Sequence, residues 1–198
     1  MALLALSIGC GPTGGSQDAG HDKDAGPNGD DGGPGCDGPK KTPPNLVPNW
    51  GFECGDTGWA PQTGTLEVVT DARTGAKAAK LTANASGAGV FSYATPFLTN
   101  APSDNYCATA WVKGTVGNAK LSILTSSSVG GTDFNFSSPV ATNTWIRMPP
   151  FTVLAVPGAM GSKLYVRFLL SQGSAGDTLL VDDVDVWESA DGKCKETR

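Results

Sequence analysis

Histidine is almost missing from this chain: among 198 residues there is only His21. That removes Ser-His-Asp and Cys-His hydrolysis and leaves His-based zinc catalysis without its ligands. Long apolar runs are missing as well, and no stretch reaches the ~18 residues that a membrane-spanning helix needs. There is no basic excess either. The 14 Lys+Arg stand against 19 Asp+Glu, a formal charge of -5, which argues against nucleic acid as a partner. Residues 11–44 contain no Leu, Ile, Val, Phe, Tyr or Trp, but ten Gly, six Pro and six Asp. Such a stretch has nothing to bury against the entropy of ordering, so a disordered linker is expected there. Its three Lys and six Asp give it -3, leaving -2 for residues 45–198. Asp22 and Asp24 do not open an EF-type calcium loop, because Gly26 and Pro27 occupy the places of the next oxygen ligand and the glycine. At ~100–200 residues per domain, the length accommodates one domain behind a tail.

Residues 1–10 (MALLALSIGC) form a short apolar run ending in Gly9 and Cys10. The run resembles the end of a bacterial lipoprotein signal peptide, although it lacks a preceding Lys or Arg and Leu6 sits one place early. The resemblance implies lipidation at Cys10, an exported chain held at the bacterial outer membrane or cell surface only by that anchor, and residues 11–44 as its tether. Four cysteines then remain, Cys36, Cys54, Cys107 and Cys194. An even number in an exported chain reads as two disulfides with three possible connectivities. Cys36 and Cys194 bracket the domain and Cys54 and Cys107 lie within it, so the economical pairing is Cys36–Cys194 with Cys54–Cys107.

From residue 45 onward the hydrophobic period is 2. In 105–113, Tyr106, Ala108, Ala110 and Val112 alternate with Cys107, Thr109, Trp111 and Lys113. In 163–170, Leu164, Val166, Phe168 and Leu170 alternate with Lys163, Tyr165, Arg167 and Leu169. Leu180, Asp182, Val184 and Val186 share one parity in the last strand. Further strands are expected over 65–70, 76–82, 89–93, 120–125, 132–136, 144–148 and 151–156, separated by turn clusters such as Gly130-Gly131. No window supports a useful helix. The reading is an all-β chain, one β-sandwich or jelly roll over residues 45–198.

Five segments then carry a family resemblance. Asn45–Glu53 (NLVPNWGFE) with Gly58-Trp59 is similar to the opening of family 4/9-type carbohydrate-binding modules. Thr70–Gly75 followed by Ala78–Leu81, Tyr106–Gly114 (YCATAWVKG), Thr144-Trp145 with Phe151–Val153, and Leu180–Val184 (LVDDV) resemble their later segments, in the same order. Trp50 departs from the family's usual small residue, and Cys54 and Cys107 are additions. The resemblance implies a galactose-binding-like jelly roll. It also implies a structural calcium ion held by Glu53 and Asp182, with the loop Asp71–Gly75 supplying backbone oxygens. By parity Asp182 points toward the core, where a carboxylate needs a partner or a cation.

Sugars present apolar C–H faces that stack on rings, flanked by hydroxyls that need hydrogen bonds. Trp111, Tyr165 and Arg167 have the parity opposite the core residues of their strands and are the candidate carbohydrate-binding residues. No catalytic residue is expected. Glycoside hydrolysis needs two carboxylates across one cleft, whereas the acids here cluster toward the ends of the domain. The sequence therefore reads as a monomeric, non-catalytic, surface-tethered lipoprotein that binds a polysaccharide or oligosaccharide. The alternative is an envelope adhesion or protein-interaction sandwich without a sugar site.

Overall fold

The period-2 segments become strands in the computed structural model of the chain, which describes residues 36, 41–99, 105–115, 118–127, 130–140, 143–154, 163–171 and 173–194. The 1–10 segment, Cys10 and His21 lie outside the described residues, as does the linker apart from Cys36 and residues 41–44. In chain order the strands are β1 (Trp59–Thr63), β2 (Thr65–Val69), β3 (Ala78–Thr82), β4 (Gly89–Tyr93), β5 (Leu98–Thr99) and β6 (Asn105–Gly114). They continue with β7 (Asn118–Ser127), β8 (Gly130–Pro139), β9 (Ile146–Arg147), β10 (Phe151–Leu154), β11 (Lys163–Ser171) and β12 (Thr178–Glu188).

One sheet, sheet A, has the order β1-β4-β11-β7-β8, with β5 also on β11. The other, sheet B, has the order β10-β6-β12-β3-β2, with β9 also on β6. Every pairing is antiparallel, and the chain passes from one sheet to the other after β1, β3, β5, β6, β8, β10 and β11. This is the expected β-sandwich of jelly-roll type. Tyr106, Ala108, Ala110 and Val112 of β6 and Leu164, Val166, Phe168 and Leu170 of β11 fill the space between the sheets. The opening motif is organised by Asn49. Its amide donates to the carbonyls of Gly55 and Thr57, its Oδ1 accepts from Cys54 N–H, and its carbonyl accepts from Trp59 Nε1. That loop turns Phe52 and Trp59 into the core.

Two expectations are corrected. The first concerns β12, where pairing with β6 shifts register between Asp182 and Asp185 and Asp183 takes φ 48°. A bulge of this kind adds one residue to one strand and reverses parity beyond it. Leu179, Val181, Val184 and Val186 consequently face the core, while Asp182 lies on the outer face beside Trp111, its register partner. Asp182 is nevertheless fully buried, because the 71–75 loop covers it.

The second concerns the disulfides, which join Cys36 to Cys54 and Cys107 to Cys194, with Cα–Cα distances of 5.1 and 5.5 Å. Cys107 faces outward from β6, opposite Thr152 and Trp187. The chain after β12 folds back over that face, with Ser189 N–H donating to Asn105 O and Thr152 Oγ1 donating to Gly192 O. Cys194 is thus delivered to Cys107, leaving Cys36 for Cys54.

Contacts begin before residue 45: the Lys41 ammonium lies 3.3 Å from Asp185 Oδ2 and 4.0 Å above the centre of the Trp50 ring.

Candidate functional site

Trp111, Tyr165 and Arg167 all point away from the core, as expected, but they do not converge. Trp111 stands on the outer face of sheet B, whereas Tyr165 and Arg167 stand on the outer face of sheet A, across the full thickness of the sandwich. One sugar site cannot contain all three. Trp111 also has a protein partner, since the Arg73 guanidinium lies 3.9 Å over its ring.

The sheet A face is assembled by register. Arg167 on β11 sits between Ser92 of β4 and Ser122 of β7, with Asn135 of β8 beyond Ser122. Tyr165, half-buried, lies beside Leu124 and then Asp133. Arg167 reaches over β7 to β8, where its Nη2 meets Asp133 Oδ2 at 2.9 Å. Ser122 is completely buried although it faces outward, and among the described residues neither its Oγ nor Arg167 Nε has a hydrogen-bond partner. A buried polar group left unpaired costs about 1–3 kcal/mol, so this face holds one unmet donor and one hydroxyl beside an aromatic ring. At its edge Gln62 Nε2 donates to Ser92 Oγ at 2.9 Å. Sequence reasoning missed Ser122, Asp133 and Asn135. The parity of Asp133 and Asn135 against Phe134 and Phe136 was readable, but their place beside Arg167 depends on pairing.

The opposite face holds the acids. Asp182 accepts from the N–H groups of Arg73 (2.8 Å), Thr74 (3.1 Å) and Asp183 (2.7 Å). Burial, and secondarily the charge of Asp183, nevertheless push its carboxyl up to about 6, against the lowering effect of those N–H groups. Asp183 is bound by Arg73 Nη1 at 2.7 Å and by Thr74 Oγ1 at 2.6 Å. Glu53 Oε1 accepts from the N–H groups of Ala76 and Lys77, and it approaches Gly75 (φ 63°) so closely that a Cβ there would collide with it. A cavity of about 360 Å³ opens beside this cluster, walled by Trp50, Trp111, Arg73, Arg147, Asp183 and Asp185.

The donor set fits calcium only in part. Glu53 and Asp182 are hard oxygen ligands that meet the same loop, as the ion requires. What they meet there are amide N–H groups rather than the expected carbonyls, and Asp71 is turned to Lys113 Nζ at 2.6 Å. Among the described residues no three His, Cys, Asp or Glu side chains are grouped to hold a metal.

No family model matches the chain, and no curated protein matches it. Solved structures do. A family 61 carbohydrate-binding module in complex with β-1,4-galactotriose is 20% identical, with a TM-score of 0.51 over 73% of this chain and 99% of that one. A family 16 carbohydrate-binding module-2 is 18% identical, with a TM-score of 0.55 over 73% of this chain and 100% of that one. The enzymatically active domain of tailspike protein 4 of bacteriophage CBA120 is 16% identical, with a TM-score of 0.56 over 72% of this chain and 21% of that one. The same sandwich therefore occurs in binding modules and within an enzyme, and fold alone does not separate the two. What the chain shares with these structures is the fold, a β-sandwich jelly roll of the carbohydrate-binding-module type.

Proposed function

We propose that this chain is a non-catalytic carbohydrate-binding lipoprotein, tethered to a bacterial surface through Cys10 and binding glycan on the outer face of sheet A. The observation that carries the reading is the outward-facing, half-buried Tyr165 ring, flanked along β11 by Lys163 and Arg167. Sugar hydroxyls both donate and accept, and a pyranose C–H face stacks on such a ring. The one acid described on this face, Asp133, is ion-paired to Arg167, so the reading assigns it no catalytic duty. The galactotriose held by the family 61 neighbour supports an oligosaccharide ligand. A structural calcium ion at Glu53 and Asp182 belongs to the same proposal. It would balance a buried carboxylate on the far side of the sandwich from the sugar, and it takes no part in binding.

Titration against a panel of soluble polysaccharides tests the site. Tyr165→Ala is expected to weaken binding at least tenfold, equivalent to about 1.4 kcal/mol, while Trp111→Ala on the opposite face leaves affinity unchanged. The reverse pattern would move the site to the cavity beside Trp111, and no retention by any glycan would favour the adhesion reading instead. For the tether, Cys10→Ala in the full-length precursor should shift the protein from membrane to soluble fractions. Unchanged membrane association would refute lipidation.

A further inference from the structure

The sheet A face differs in charge from the rest of the chain. Three cations point outward from its central strands, Lys163 and Arg167 from β11 and Lys120 from β7, against Asp133 alone among the described acids. The face thus carries a net positive charge on a protein whose formal charge is -5. Arg167 is engaged by Asp133, but Lys120 and Lys163 make no ion pair among the described residues. Their arrangement is linear. Lys163, Tyr165 and Arg167 occupy successive outward positions of β11, and Lys120 opposes Leu169, the next outward position. At ~3.3 Å per residue the row spans roughly 20 Å, long enough for several sugar rings.

We infer that the ligand of this face is an acidic polysaccharide bearing carboxylates along its chain, read by Lys120, Lys163 and Arg167 around the Tyr165 ring. The inference rests on the carbohydrate-binding reading and names the class of glycan. Uronate carboxylates would meet the two unpaired ammonium groups, while a sugar ring seats its C–H face on Tyr165. A neutral glycan would leave both lysines without a role in binding. Nucleic acid fits less well, because a single tyrosine among hydroxyl and amide side chains makes no platform for successive bases.

The test compares polygalacturonate and alginate with their neutral esters, which keep the sugar backbone and remove the charge, alongside neutral galactan and single-stranded DNA. Binding is measured by calorimetry on the full mature chain. The acidic forms should bind at least tenfold more tightly than their esters at low salt. That preference should shrink severalfold between 50 and 500 mM NaCl, and Lys120→Gln and Lys163→Gln should each reduce it with the melting temperature unchanged. Equal or tighter binding of the esters or of galactan would overturn the acidic preference while leaving carbohydrate binding standing. Equal binding of DNA would show that the face reads charge alone and would also overturn it. No binding to any sugar polymer would remove the carbohydrate reading itself.

Discussion

Phe91→Ala is expected to cost about 3–5 kcal/mol of folding free energy. Phe91 is fully buried and stacks on Phe168, its register partner across β4 and β11, with centroids 5.2 Å apart and planes 17° from parallel. Trp59 packs on it at 5.5 Å and Phe52 at 6.5 Å, so four rings from one loop and three strands share a single volume. Truncation removes the ring's contacts with all three neighbours and leaves a hole, because Phe52 and Trp59 are fixed by the Asn49 hydrogen bonds and cannot slump inward. Phe91→Leu, which keeps most of the volume, should cost less than about 1.5 kcal/mol. Denaturant titration reads both as a lowered midpoint at constant slope. A loss below about 1 kcal/mol for Phe91→Ala would mean that the ring cluster is not the packed centre described above. Function should follow stability, since the next residue, Ser92, and the one before Phe168, Arg167, form the middle of the proposed sugar face. Strands that shift by half an ångström around a cavity would misplace both.

What the sequence revealed of this fold came from parity, and what it hid came from pairing. β4 and β6 could be read from alternation, because each buries one face on a single core. β1 could not: Pro61 interrupts WAPQT, and the register with β4 slips between Pro61 and Thr63. Two-residue β5 is too short to show any period. Parity also placed Trp111, Tyr165 and Arg167 correctly outside the core, yet a sandwich has two outsides. Which one a strand faces depends on its sheet, and β6 and β11 belong to different sheets. The disulfides failed for a related reason. Connectivity requires knowing that the segment after β12 turns back over the outward side of Cys107. At Asp182 the rule broke outright, because a bulge with a left-handed residue is invisible to alternation, and Asp183 is of a type that tolerates that conformation.

Asp182 gives the second large effect, one that changes sign with calcium. With a chelator present, stability should fall as pH rises from about 4 to about 6. The folded state holds the Asp182 proton up to about 6 because burial penalises the carboxylate, whereas the unfolded chain releases it near its ordinary value of 3.8. Between those values the folded state binds more protons, so stability declines with pH, by roughly 3 kcal/mol once both states are ionised. That contribution is fully present below the unfolded value and is lost as pH passes the folded one. Asp182→Asn, which cannot ionise, should flatten the curve, and the difference between the two proteins isolates this group from the other acids. A cation at Glu53 and Asp182 reverses the argument, because it binds only the ionised carboxylate and only in the folded state. Calcium at 100 times its dissociation constant should add ~2.7 kcal/mol at pH 7, and this gain should fade on acidification as protons displace the ion. Melting curves recorded with calcium and with chelator at pH 5 and pH 7 separate the two contributions. If they coincide at pH 7, the amide groups of Arg73, Thr74 and Asp183 are the only partners Asp182 needs, and the calcium proposal is lost. If the chelated protein and Asp182→Asn show the same pH dependence, burial is not penalising the carboxylate at all.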